Sequence, residues 1–356
     1  MATLAHESVA GSGGGGFVLR NGISLANGAA ARHQQVSDLK ASSDRKDRRG
    51  VTMQRSEPVE AQTAKPALPL RVVTLAQMTP GGSWQASLPH ARDDHLLVWI
   101  TRGQGRATIR GIRRGIGANN VLYLPRGTQF ALETGPQCFG QAILIEDGDY
   151  PLLPDAPQHL RLRDVQAQGD LTGIVEMLQR ELASQQPLQA EALVARFNLA
   201  AVWLRRQMLA MYDEGDKVSP ALMGRETAGQ RLSRRFADLL EAEFRSGRNM
   251  ADYATLLEVT PTHLTRVCRE NAGLTAADMI TQRVLHEARM LLMRPEPPVQ
   301  NVAGHLGFGS AAYFSRFIQH HTGQPPSALR RTALHEGGSR PKPAPGPLFR
   351  HHSGGG

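Results

Sequence analysis

Cysteine is nearly absent. Cys138 and Cys268 alone cannot build a disulfide framework or a cysteine-rich zinc site. No apolar run approaches the roughly 20 residues that a membrane-spanning helix needs. The opening stretch MATLAHESVAGSGGGGFVLR lacks a basic segment followed by an apolar one, so no secretory signal is expected. Aromatics make up 5% of the 356 residues, with tryptophan only at Trp84, Trp99 and Trp203. Lysine is scarce too, supplying five of the 41 basic residues. These absences exclude stapled secreted scaffolds and membrane spans, and a cytoplasmic protein is the expectation that remains.

The basic charge that is present is therefore mostly arginine, and it exceeds 32 acidic residues to give a formal charge of +9. Arginine's planar fork suits phosphate and guanine recognition. A genome that favours arginine codons explains the same count, so charge makes nucleic acid a candidate partner without deciding it. Between Arg231 and Arg331, thirteen arginines face nine acids, a modest surplus. Apolar residues form 40% of the chain, enough for two or three cored domains at this length.

Composition divides the chain. Residues 1–66, with GSGGGG and SSDRKDRRG, hold little that can be buried and read as a disordered tail, a basic arm, or a segment upstream of a start at Met53. Residues 336–356 read as a second tail, in which His351 and His352 are too isolated for a metal site. Residues 67–150 show short strands between glycine turns: Arg71 to Leu75, His95 to Thr101, Arg106 to Ile112, Asn120 to Leu124, Gln129 to Glu133 and Cys138 to Ile145. That spacing predicts a small antiparallel sandwich or barrel. Residues 151–218 follow a proline-rich connection (151–157) and predict helices over Asp170 to Ser184 and Leu188 to Tyr212. In the second, Leu193, Phe197, Ala200, Leu204, Met208 and Met211 form one apolar stripe. Such a stripe is either intramolecular core or a dimer seam, and both stay open. Residues 213–230 are polar and turn-rich, a linker. The region 225–335 then reads as helix broken by short turns.

Two segments of that last region share one grammar. Met250 to Leu257 is a short helix, Glu258-Val259-Thr260 a turn, and Pro261 to Asn271 a second helix, with Thr260 as N-cap and Pro261 at the first helical position. Val299 to Leu306 is again a short helix, Gly307-Phe308-Gly309 a turn, and Ser310 caps a helix over Ala311 to His320. That is the layout of a helix-turn-helix, whose second helix lies in the major groove. One copy is a weak signal because many helical hairpins look alike; two copies are much stronger. The intervening helix, Thr275 to Leu292, buries Met279, Ile280, Val284, Ala288, Leu291 and Leu292 by spacing. At about 1.5 Å per residue it spans roughly 25 Å, and so can set two reading heads near the ~34 Å repeat of successive major grooves.

From Tyr253 to Arg331 the chain closely resembles the DNA-binding domain of AraC/XylS-type bacterial transcriptional regulators. The resemblance rests on Thr260-x-x-His263-Leu264-Thr265-Arg266, Gly273-Leu274-Thr275 and Arg283 with Ala288 and Leu291-Leu292 in the first half. In the second it rests on Val302-Ala303, Gly307-Phe308, Tyr313-Phe314-Ser315-Arg316-Phe317 and Gly323-x-Pro325-Pro326. Cys268 departs from the family's usual phenylalanine, which leaves the choice between a buried thiol acting as a small hydrophobe and a redox sensor. Base-reaching side chains belong near the N-terminal half of each second helix. The candidates are Thr262, His263 and Arg266 in the first copy and Ala312, Ser315, Arg316 and Gln319 in the second. Arg266 and Arg316 can each grip guanine or clamp phosphate. Leu264, Phe314 and Phe317 are core by spacing.

The strand-rich region resembles the cupin-like sensor domain of such regulators, through Trp84, the stretch His90 to His95, the Gly103-Gln104-Gly105 turn and Leu124-Pro125-Arg126-Gly127. Metal-binding cupins use a His-x-His pair, a glutamate and a further histidine. His90 and His95 stand five apart here, and Gln129 occupies the place where a histidine is often found, so no metal and no cofactor are expected. An effector pocket walled by Trp99, Arg106, Tyr123 and Arg126 is the functional expectation; a purely structural dimerisation barrel is the plain one. The expected architecture is α+β: an N-terminal antiparallel β-barrel (cupin-like), a helical connector and a C-terminal all-α domain with two helix-turn-helix motifs joined by a linker helix. The expected function is a sequence-specific DNA-binding regulator, not an enzyme. Its partners are double-stranded DNA, a small-molecule effector and, through the connector helix, a second copy of itself as a homodimer, with no membrane. A cupin-type enzyme with an accessory helical domain is the alternative, and an architectural DNA-binding protein a third class.

Overall fold

The computed structural model describes residues 70–338, apart from 147, 149 and 214–225. The expected N-terminal tail and most of the expected linker and C-terminal tail, with Met53, His351 and His352, lie outside these residues.

Eight strands and two one-turn helices form the N-terminal part. β1 (Leu70–Thr74) runs into α1 (Leu75–Met78), and α2 (Trp84–Ser87) follows. Then come β2 (His95–Arg102), β3 (Gln104–Ile109), β4 (Ile112–Gly117), β5 (Asn120–Leu124), β6 (Phe130–Thr134), β7 (Phe139–Ile145) and β8 (Gln158–Arg161). They pair antiparallel in two sheets, ordered β1-β7-β2-β5-β8 and β4-β3-β6. The stretch read as one strand over Arg106 to Ile112 is a hairpin. Arg110 (φ 46°) and Gly111 (φ 72°) take positive φ at its two-residue turn, the geometry that matches strand twist. A tight turn between two alternating runs hides inside the alternation. β8 also escaped the sequence, because its four residues follow prolines and border a helix.

The five-stranded sheet is buried on both faces, which is why HLLVWIT is a nearly unbroken apolar run. Leu97, Trp99, Val121, Tyr123 and Ile143 point one way, into a cluster with Leu171, Val175, Leu193, Phe197 and Leu204. Leu96, Val98, Ile100, Leu122 and Leu124 point the other way and meet Ala107, Ile109, Phe130 and Leu132 of the three-stranded sheet. The two-residue period of a strand divides the cores.

The helices on the first face are α3 (Val165–Ser184) and α4 (Gln189–Asp213). α3 begins five residues earlier than its apolar period suggested, because Asp164 caps it by accepting from the Gln166 and Ala167 amides. The stripe on α4 resolves as core: Leu193, Phe197, Ala200 and Leu204 are buried against the sheet and α3, with Met208 and Met211 at the margin.

The C-terminal part is all helix: α5 (Ala228–Glu243), a 3₁₀ turn (Phe244–Ser246), α6 (Met250–Leu256), α7 (Pro261–Ala272), α8 (Ala276–Leu292), α9 (Val299–His305), α10 (Ala311–Thr322) and α11 (Pro326–Gly338). α11 continues three residues past the boundary expected for the tail. One core joins them, with Phe236, Tyr253, Leu264, Met279, Ala288, Val302 and Phe314 among its members.

Candidate nucleic-acid interface

The first reading head is built by caps. Asn249 and Asp252 close a capping box on α6. The turn then requires Glu258 at φ 59° before Thr260 caps α7, its hydroxyl accepting from the His263 amide at 3.2 Å. Pro261 sits where the helix needs no amide donor, and Gly273 ends it in the left-handed region. Leu264, Val267 and Cys268 turn inward, which leaves Thr262, His263 and Arg266 exposed in one row. Arg266 donates to Glu270 Oε1 at 2.6 Å and lies 3.2 Å from His263 Nδ1, so the two candidate readers are coupled.

The second head repeats the construction. Ser310 caps α10 by accepting from the Tyr313 amide at 3.2 Å, and Gly323 ends the helix as Gly273 ends α7. Phe314 and Ile318 are buried; Ala312, Arg316 and Gln319 are exposed and Ser315 half-buried. Phe317 is half-buried, packed beside Phe308 rather than enclosed. The reading of the sequence passed over Tyr313, which is 57% exposed at the start of α10. Its position beside Phe314 in the motif was the available signal.

The two heads are held to each other. Gly247 and Gly307, at φ 73° and 75°, meet backbone to backbone, and a Cβ on Gly307 would come within 2.5 Å of the Gly247 nitrogen. Arg245 adds an ion pair to Glu287 of α8 at 2.9 Å.

The strand-rich part packs on α5, α8 and the end of α7. Arg110 at the β3–β4 turn forms a two-pronged ion pair with Asp238 of α5, its Nε donating to Oδ1 at 2.8 Å. Ser233 Oγ donates to the Gly111 carbonyl at 2.8 Å. Buried Arg283 grips both oxygens of Glu241 at 2.7 and 2.8 Å, and Glu241 also accepts from Gln129 at 3.3 Å. The imidazoles of His90 and His286 stack at 4.1 Å, nearly parallel. The Arg289 guanidinium lies 4.0 Å from the Trp84 ring centre.

Comparison with known proteins decides the family. A "Helix-turn-helix domain" family model matches residues 253–332, and an "AraC-like ligand binding domain" model matches residues 79–198. The chain is an AraC-type transcriptional regulator. The AraC-type regulator is thus DNA-binding through its C-terminal part and effector-modulated through its N-terminal part, in a family of regulators rather than enzymes. No curated protein matches it. Among solved structures, apo ToxT from Vibrio cholerae is 14% identical with a TM-score of 0.36, covering 74% of this chain and 96% of that one. ToxT with a bound unsaturated fatty acid gives 15%, 0.35, 73% and 94%. The C-terminal domain of AraT from Geobacillus stearothermophilus gives 23%, 0.28, 35% and 99%. Likeness of that size adds nothing to the family match. No helix among the described residues is long and apolar enough to cross a membrane.

The regulator does not bring the four expected pocket residues together. Trp99 and Tyr123 face α3 and α4, away from the space between the sheets, and the Tyr123 hydroxyl pairs with His95 Nδ1 at 2.9 Å. Arg106 stands on the outer face of the three-stranded sheet, and Arg126 is exposed in the turn after β5. The space between the sheets holds apolar side chains. His90 and His95 part company, one in the seam with α8 and the other beside Tyr123. Cys268 is fully buried and burial pushes its thiol up to about 12, the behaviour of a small hydrophobe. The seam residues Arg110, Gln129, Asp238, Glu241 and His286 carried no sequence signal, since their partners lie more than a hundred positions away.

Proposed function

We propose that α7 and α10 enter successive major grooves on one face of a duplex, with Thr262, His263 and Arg266 reading the first segment and Ala312, Ser315, Arg316 and Gln319 the second. The observation that carries this reading is the repeated construction: hydroxyl cap, exposed N-terminal half, buried leucine or phenylalanine, left-handed glycine end. α8, with 17 residues, supplies the bridge of about 25 Å between them. Ala311 and Ala312 offer only methyl contact, so the second segment is read more weakly. A small effector bound by the N-terminal part alters DNA binding by favouring one arrangement of the seam with α5 and α8 over another.

The regulator acts as a homodimer. The inward stripe of α4 is used up in the core, but its opposite side carries Ala192, Ala195, Leu199 and Val202 at alternating steps of three and four and Leu209 seven further on, past Arg206, with Leu188 just before the helix. Leu188, Leu199 and Leu209 are 72%, 57% and 64% exposed. That period is a coiled-coil seam.

Selection of bound fragments from genomic DNA, with and without a small-molecule extract, tests the whole reading. The expected result is a bipartite motif whose occupancy responds to the extract. Binding without sequence preference would remove it.

A further inference from the structure

α7 and α10 are both 12 residues long, and they begin and end alike: a hydroxyl cap at Thr260 and Ser310, a left-handed glycine at Gly273 and Gly323. The two helices therefore align without a gap, and burial follows the same register. Leu264 and Phe314 are both fully enclosed, Thr265 and Ser315 both half-buried, Arg266 and Arg316 both exposed. In that register the counterpart of His263 is Tyr313. Each donates its amide to the cap hydroxyl, at 3.2 Å in both heads. Each side chain stands open to solvent in the first turn, next to exposed Thr262 in one head and exposed Ala312 in the other.

The two leading edges differ in chemistry. The first offers a hydroxyl and an imidazole, groups that donate or accept hydrogen bonds. The second offers the Ala312 methyl and an aromatic ring that is 57% exposed. That ring is not loose, for its centre lies 5.7 Å from the centre of Phe308 in the preceding turn. Phe308 is itself packed against Phe314 and Phe317, each at 5.2 Å. Three rings behind Tyr313 thus fix its direction, and its outer face stays uncovered. The major groove displays one apolar group, the C5-methyl of thymine, and an apolar side chain reads it by excluding water from both. Cytosine, the other pyrimidine, lacks that methyl.

We infer that the Tyr313 ring reads a thymine methyl group in the second major groove, with the Ala312 methyl beside it. The inference rests on the two-groove reading above and adds a reading residue and a preferred base to its second half. Covering one methyl group is worth about fourfold in affinity, so the second segment stays the more weakly read of the two.

The test uses the full chain as the natural protein, Tyr313→Phe, Tyr313→Ala and Tyr313→Gln. Each selects from a library of random duplexes. The recovered sites are then remade with deoxyuridine in place of single thymidines, which removes the methyl alone. The natural protein and Tyr313→Phe should select thymine at one position of the second segment, and deoxyuridine there should weaken both by about fourfold. Tyr313→Ala and Tyr313→Gln should lose that preference, be indifferent to deoxyuridine at that position, and keep the first segment unchanged. Loss of the preference in Tyr313→Phe as well would make the hydroxyl the contact and overturn the inference. So would deoxyuridine that is harmless at every thymidine of the second segment. An equal loss on every duplex in both ringless variants would also overturn it, as the mark of a phosphate contact or a packing role. A natural protein that selects no second segment refutes the two-groove reading itself. A second segment selected alike by all four proteins refutes the inference alone.

Discussion

Arg283 shows how one side chain can hold three parts in register. It is 3% exposed, grips Glu241 of α5 with two prongs, donates to Glu287 one turn along α8, and lies 3.6 Å from the centre of the Phe244 ring. Glu241 in turn reaches Gln129 of the strand-rich part. Removing one partner of a buried ion pair strands the other charge, so Glu241→Gln should destabilise the protein by about 3 kcal/mol, read by chemical denaturation. A loss under 1 kcal/mol would mean that water already shares the pair. Arg266 is the opposite case, an exposed arginine whose worth is in recognition. Arg266→Ala should leave stability within about 0.5 kcal/mol. It should weaken operator binding by about 1–3 kcal/mol if the side chain reads a base, and a gel-shift series showing the same loss on every duplex would make it a phosphate clamp.

At the scale of the element, α7 and α10 were legible because everything that defines them is local. Thr260, Pro261 and Gly273 announce one helix, and Ser310 and Gly323 the other, within a dozen positions. Thr260→Ala should cost about 1 kcal/mol, and Ser310→Ala a similar amount, measured as a shift in the urea midpoint at unchanged slope. If neither shifts it, tertiary packing alone sets where these helices begin. The strands were harder. β4 hid behind a two-residue turn inside an alternating run, and β8 is too short to show a period. α4 displayed its inward stripe plainly, yet its outward row became visible only when Leu193 and Phe197 were seen to be spoken for. A sequence lists both faces of a helix and does not say which one the fold uses first.

The molecule as a whole turns on the seam, which no sequence pattern announced because it joins residues such as Arg110 and Asp238 across the chain. His90 and His286 make that seam sensitive to acid. Burial pushes His90 down to about 4 and His286 down to about 2. Arg92, Arg283 and Arg289 nearby also oppose a positive charge, while the Leu88 and Gln85 carbonyls and, for His90, Glu287 favour one without offsetting burial. In the unfolded chain each titrates near 6.5. As pH falls below about 6.5 the unfolded state takes up protons that the folded state refuses, so stability declines steadily toward pH 4. At pH 5 the loss is about 2 kcal/mol for each imidazole. Buried His159, also pushed down to about 4, adds to this slope, so denaturation series at pH 7, 6 and 5 should show it and His286→Phe should lower it by about a third. An unchanged slope in that variant would place the acid sensitivity elsewhere.

The backbone contact between Gly247 and Gly307 has a consequence for the DNA. With no side chain between the two turns, the heads meet backbone against backbone. One base pair inserted between the two halves of an operator turns the second by roughly 35° and moves it about 3.4 Å. A hinged reader would follow that change; this one should lose its second foothold outright, keeping about the affinity of a half-site. The spacing of an operator is then as much a part of its message as its letters.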